Sequence, residues 1–215
     1  MDHSVVGGGG TLFVVSTPIG NLGDLSGRAV ETLRGADAIL AEDTRHTRAL
    51  LSHFDIHTPL ESYHEHNEAA TTPSLVGRLQ LGARLALVSD AGTPLLSDPG
   101  ARLVQAAVAA GIAVVPVPGA SALLAALVGA ALPSDRFTFF GFLPRKGSER
   151  RAVLGEIAAL RHTAVLYEAA NRVAQTLADL AEAGAADRRA VVARELTKQF
   201  EEFVRGPVRE LAARY

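Results

Sequence analysis

At 215 residues the chain has the length of one large domain or two small ones, and 48% hydrophobic with 20% charged residues is the composition of a soluble globular fold. The absence of cysteine excludes disulfide scaffolds, thiolate zinc sites, iron–sulfur clusters and cysteine nucleophiles. A formal net charge of −2 offers nucleic acid no global basic field, so any RNA contact has to rest on a local patch.

Residues 1–10 end in the four glycines Gly7, Gly8, Gly9 and Gly10 and read as a flexible N-terminal tail. A phosphate loop follows a strand and precedes a helix, whereas this run precedes a strand. The first four residues carry no Lys or Arg, unlike the basic start of a signal peptide. The longest apolar stretch, 106–132, is broken by Gly111, Pro116, Pro118, Gly119 and Gly129, so no membrane span is expected and the cytoplasm is the expected location.

The apolar runs 12–15, 38–41, 85–88 and 113–117 predict short buried strands. Between them, helical spacing predicts amphipathic helices at 26–33 with Ser26 as N-cap, through Leu50, Leu51 and Phe54, within 69–81 and at 101–110. Strands alternating with helices imply an α/β fold with a mostly parallel sheet covered on both faces, and ligand sites beyond the carboxyl ends of its strands. After Gly119 the texture changes. A small-residue helix is predicted at 121–129, a linker at 132–135 and an aromatic strand at 137–143. A basic-to-apolar helix at 145–160, a strand at 163–167, a helix around 173–183 and a strand at 190–193 follow. The expected organisation is two α/β domains, 11–132 and 133–215, with the boundary near Pro133.

Signatures of nucleotide hydrolysis (GxxxxGK[ST]), dinucleotide binding (GxGxxG), zinc proteases (HExxH) and α/β-hydrolases (GxSxG) are all missing. His64 and His66 share a face only on a strand and have no third ligand, so no metal site is expected. What stands out is a set of small-residue loops at successive strand ends: 17–21, 89–94, 97–100 and 118–122. Glycine and alanine let a backbone approach a planar ligand, proline stiffens the loops, and Ser121 opens a helix whose N-terminus suits a carboxylate. Together they describe a site for a small ligand.

The segments 16–21 (STPIGN), 41–45 (AEDTR), 62–67 (SYHEHN), 88–94 (VSDAGTP) with 97–100 (SDPG), 141–146 (GFLPRK) and 193–198 (ARELTK), in this order, resemble the bacterial small-subunit rRNA cytidine 2′-O-methyltransferases. These belong to the tetrapyrrole-methylase class of S-adenosylmethionine (SAM) enzymes. The resemblance runs from Thr11 to the end of the chain. It implies two α/β domains with SAM in the cleft between them, a homodimer, and small-subunit rRNA or the assembled small ribosomal subunit as partner. Two departures stand out: residues 167–172 read YEAANR where the family usually reads YESPHR, and the family commonly continues beyond the position of Tyr215.

On this resemblance the strand-end loops are the expected cofactor contacts: Pro18, Ile19, Gly20, Asp90, Ala91, Gly92, Thr93, Pro94, Ser97, Gly119, Ala120, Ser121 and Ala122, with Tyr167. A ribose hydroxyl is a poor nucleophile, so a base or an electrostatic aid is expected. Asp43, His64, Asp90, Glu168 and Lys198 are the candidates, and sequence does not choose among them. Glu42 and Asp43 also suit helix capping or pairing with Arg45 and Arg48. For RNA, the densest basic cluster supplies Arg145, Lys146, Arg150 and Arg151, and Arg45 with Arg48 form a second pair. Two other readings stay open at this point: a corrin- or tetrapyrrole-directed methyltransferase of the same fold, and a SAM-binding module without catalysis.

Overall fold

Side chains along the central strands alternate between two apolar layers, and that alternation sets the architecture of the first part of the chain. In the computed structural model, which describes residues 9–215, β1 (Thr11–Val15), β2 (Ala38–Ala41), β3 (Leu60–Ser62), β4 (Arg84–Val88) and β5 (Ala113–Val117) form one parallel sheet. Its order is β3-β2-β4-β1-β5. Ile39 and Ala41 of β2 and Ala86 and Val88 of β4 face the layer made with α1 (Gly27–Arg34) and α2 (Thr44–His53), through Leu33 and Leu51. Leu40, Leu85 and Leu87 face the opposite layer, where Leu75 and Leu79 of α3 (Glu68–Gln80) and Leu103 of α4 (Ala101–Ala109) pack. Each such leucine, buried essentially completely, stabilises the fold by roughly 1.5–3 kcal/mol.

Local chemistry agrees with this layout. The Ser26 hydroxyl accepts from the Ala29 N–H at 3.1 Å and starts α1. Pro116, which has no N–H to give, sits in β5 at the edge of the sheet. The tail expected over 1–10 needs one correction: Gly10 is buried, and its N–H donates to the Leu79 carbonyl at 2.9 Å, so the ordered chain begins before β1. The first eight residues of that expected tail lie outside the described residues.

The chain divides into two units, one up to Ser121 and one from Ala122. This is earlier than the boundary expected near Pro133. The reason is local: α5 (Ala122–Gly129) packs with the second unit, Gly129 lies against the Phe203 ring, and the Arg205 Nε donates to the Ala130 carbonyl at 3.2 Å. The second unit holds a parallel pair, β6 (Phe137–Phe142) and β7 (Thr163–Tyr167), and an antiparallel pair, β8 (Arg189–Arg194) and β9 (Glu202–Pro207). Helices α6 (Gly147–Ala159), α7 (Val173–Leu180) and α8 (Val208–Arg214) close around Leu143, Leu154, Ile157, Leu177, Val204 and Leu211.

Candidate functional site

β4 and β5 flank β1 in the parallel sheet, so the loops leaving these three strands emerge side by side. Hydrogen bonds lock them together. The backbones of Thr17 and Gly92 exchange N–H···O bonds of 2.9 and 3.0 Å, and the Thr17 hydroxyl donates to the Ser89 carbonyl at 3.1 Å. The Thr93 hydroxyl donates to the Ala120 carbonyl at 3.1 Å, which leaves it to accept from the Ser16 hydroxyl, also at 3.1 Å. Gly92 has φ +85, and a Cβ there would sit 3.1 Å from Cγ2 of Ile19. At Gly119 a Cβ would lie 2.9 Å from the Cβ of Ser16. Both glycines are therefore what lets the three loops close on one another.

This arrangement brings together Pro18, Ile19, Gly20, Asp90, Ala91, Gly92, Thr93, Pro94, Gly119, Ala120 and Ser121 of the expected cofactor contacts. Ala91, Gly20 and Gly119 are exposed, whereas Gly92, Pro94 and Ser121 are buried beneath them. Ser97 lies further along the β4–α4 loop, where Leu95 (φ 73) and Ser97 (φ 69) both adopt left-handed backbone. Such strain persists where the surroundings over-determine it, often beside ligand sites. Ala122 and Tyr167 belong to the second unit, and the Tyr167 ring meets Phe139 at 4.9 Å and Phe142 at 5.5 Å between centroids.

The ends of β2, β3 and β4 carry the titratable groups. The Asp43 N–H donates to Asp90 Oδ1 at 3.0 Å, joining two strand ends. Asp43 itself caps α2, accepting from the Arg45 N–H at 2.8 Å and gripping the guanidinium through Nε (3.2 Å) and Nη2 (2.9 Å). The side-chain hydrogen bonds from Arg45 hold the Asp43 carboxyl down to about 2. An acid that holds its proton so weakly is a poor base, and Arg45 is correspondingly committed to it. Glu42 behaves oppositely: burial raises its carboxyl first, and Asp90, Asp98 and Glu65 raise it further, against a lowering by His64. Burial also raises Asp98, with the Ser89 hydroxyl opposing. His64 keeps a buried Nδ1 with no hydrogen-bond partner among the described residues.

Of the five catalytic candidates, Asp43, His64 and Asp90 thus share one neighbourhood with Glu42 and Asp98. From sequence Glu42 suits a cap or an ion pair and Asp98 is one residue of the small-residue loop 97–100; their raised carboxyls come first from burial in the folded chain. Glu168 and Lys198 lie in the other unit. Lys198 pairs with Glu195 at 3.2 Å. The buried Glu168 carboxylate accepts from the Thr176 hydroxyl at 2.6 Å and from the Ala169 N–H at 2.9 Å, and lies 3.3 Å from Nε of Arg172.

The basic cluster divides as well. Arg150, expected on phosphate, is 7% exposed and donates to Asp179 Oδ2 (2.8 Å), the Thr176 hydroxyl (2.8 Å) and the Pro144 carbonyl (3.1 Å). The correction has a simple cause: Arg150 stands one and two turns before Leu154 and Ile157 on the buried stripe of α6. Arg145, Lys146, Arg151 and Arg48 are exposed. A cavity of about 450 Å³ is lined by Arg145, Lys146, Arg150, Asn171, Arg172, Gln175 and Asp179. Arg151 does not line it. Asn171 belongs to the segment where this chain departs from the resembled pattern. Among the described residues no group of three or more His, Asp or Glu is placed to hold a metal, and no helix is long and apolar enough to cross a membrane.

Interlocked strand-end loops on a parallel sheet define an α/β protein with a candidate ligand site at the carboxyl end of its strands. Residues 11–212 match the profile of the tetrapyrrole (corrin/porphyrin) methylases, and the chain belongs to that family. It is 57% identical over 202 residues to the ribosomal RNA small subunit methyltransferase I of Xylella fastidiosa (strain Temecula1), covering 94% of this chain and 74% of that protein. The protein of the same name from Pseudomonas aeruginosa is 54% identical, with 94% and 72% covered. Among solved structures, cobalt precorrin-4 methyltransferase shares the fold with a TM-score of 0.68 at 18% identity, over 95% of this chain and 88% of that one. Uroporphyrin-III C-methyl transferase from Thermus thermophilus, complexed with S-adenyl homocysteine, gives 0.63 at 21%, over 95% and 91%.

Proposed function

We propose that the chain is a SAM-dependent methyltransferase that methylates the ribose 2′-hydroxyl of a cytidine in small-subunit rRNA. The observation that carries the reading is the hydrogen-bonded closure of the 16–21, 89–94 and 118–121 loops, in a chain 47–57% identical to proteins named for small-subunit rRNA methylation. The relatives whose names concern corrins or porphyrins share only the fold, at 18–21% identity.

The residues present suit SAM. Gly20, Ala91 and Gly119 offer exposed positions with little side-chain bulk, and Glu42, Asp90 and Asp98 make a negative field that favours a cationic ligand. When bound, SAM supplies a methyl group on a sulfonium, an excellent leaving group. The tied loops hold their ligand rigidly, and rigid positioning is what an in-line displacement needs most. Asp43 stays ionised and fixed to Arg45, orienting α2 rather than taking a proton. His64, Asp90, Glu42 and Asp98 are the proton acceptors this reading assigns to the hydroxyl, with Glu42 and Asp98 made better bases by their raised carboxyls. The reading includes cytoplasmic location and a homodimer, and a sedimentation mass near twice that of the 22.5 kDa chain checks the dimer. Transfer of labelled methyl from SAM to unmodified small ribosomal subunits tests the activity.

A further inference from the structure

β6 and β7 run parallel, so the loop 143–146 and the turn 168–172 leave the same end of the pair, and α6 and α7 start from them. We propose that the cavity at this place holds a phosphate of the RNA backbone, with Arg145 and Lys146 as its direct contacts. This deepens the methyltransferase reading and rests on it.

Three observations carry the assignment. The first is charge: four cations and one carboxylate line the cavity, in a chain of net charge −2. That carboxylate, Asp179, is already satisfied by Arg150 at 2.8 Å and by the Gln175 amide at 2.7 Å. The second is division of labour among the cations. Arg150 and Arg172 are tied into the protein, and both donate to the Pro144 carbonyl, at 3.1 and 3.4 Å. Pro144 is thereby held at the root of Arg145 and Lys146, whose exposed side chains have no hydrogen-bond or ion-pair partner among the described residues. A rigid root lowers the ordering cost of binding through flexible cations. The third is size and chemistry. About 450 Å³ is within the range of ligand sites, roughly 300–1,000 Å³, and a bare phosphate would leave most of it empty where a sugar–phosphate segment fills it. No aromatic side chain lines it for base stacking, which fits contact with the backbone rather than with bases.

The test titrates the full-length protein with a single-stranded RNA oligonucleotide of mixed sequence at several salt concentrations, and separately with inorganic phosphate. Arg145→Ala/Lys146→Ala should weaken RNA binding about tenfold and flatten the salt slope by about 1.4, the value for two lost contacts on single strands. Asn171→Asp, which adds a negative charge to the cavity wall, should weaken RNA, and Asn171→Lys should tighten it. A merely structural role would not reverse with the sign of the charge. Arg161→Ala, an exposed arginine of the same unit outside the cavity, should leave the slope as it was. Thermal unfolding and SAM affinity, measured in parallel, show that the variants are folded. An unchanged slope in the double variant, with wild type still binding RNA and methylating subunits, overturns this inference alone. Loss of phosphate binding without loss of RNA binding makes the cavity a free-phosphate site and also overturns it. A wild type that neither binds RNA nor methylates subunits removes the functional reading beneath it.

Discussion

Thr17 and Gly92 face each other as a single antiparallel bridge on an otherwise parallel sheet, exchanging backbone hydrogen bonds of 2.9 and 3.0 Å. The bridge turns two strand-end loops into one surface, with Ile19 against the glycine.

Gly92→Val should therefore remove cofactor binding. Its φ of +85 costs an L-residue roughly 1–2 kcal/mol, and the new Cβ would press on Cγ2 of Ile19 at 3.1 Å. For a protein of this size such a cost lowers Tm by roughly 2–8 °C, a modest loss against the full stability. SAM affinity by calorimetry should fall more than about tenfold, the equivalent of 1.4 kcal/mol. Wild-type affinity in the folded variant would show that this loop does not line the site.

Arg150 gives an opposite expectation to the one its charge suggests. Its side chain is 8% exposed against Asp179 at 21%, and its loss leaves Asp179 without its cation and the buried Thr176 hydroxyl without its guanidinium donor. Arg150→Ala should cost about 3 kcal/mol or more in denaturant unfolding, as for a broken buried pair. A cost under about 0.5 kcal/mol would return Arg150 to the solvated surface.

The pH dependence follows from Glu42. Its carboxyl is raised above 4.5, chiefly by burial, so the native state keeps this proton to a higher pH than the unfolded chain does. Stability from this group is complete below about pH 4.5 and declines until the pH has passed the raised value. Glu42→Gln removes the charge that is penalised. Its Tm should exceed that of wild type near about pH 8, and the difference should vanish near about pH 4. An equal difference at both pH values would mean that packing, not charge, separates the two proteins.

Much of this architecture is legible in the residues themselves. The runs 12–15, 38–41 and 85–88 are apolar throughout because side chains of these strands enter an apolar layer on either face of the sheet. β3 escapes because it has three half-exposed or exposed residues, and β9 because Glu202, Arg205 and Pro207 interrupt the pattern around the buried Val204. The strand-end loops show in their glycines and prolines. What locks them does not, since the Thr17–Gly92 bridge is made by backbone atoms common to every sequence. Arg150 misleads because its charge masks its register with Leu154 and Ile157. Glu42 and Asp98 are unremarkable as letters, and their environment is made by strand ends far apart in the chain.

The measurement that bears most directly on the whole account is methyl transfer from labelled SAM to small ribosomal subunits lacking their modifications, followed by alkaline hydrolysis of the rRNA. A methyl group on the ribose 2′-oxygen removes the nucleophile that cleaves the adjacent phosphodiester. Label is expected in a single alkali-resistant dinucleotide containing cytidine, with transfer lost in Gly92→Val. Label released as a methylated mononucleotide base, or no transfer to subunits by a protein that binds SAM, would contradict it.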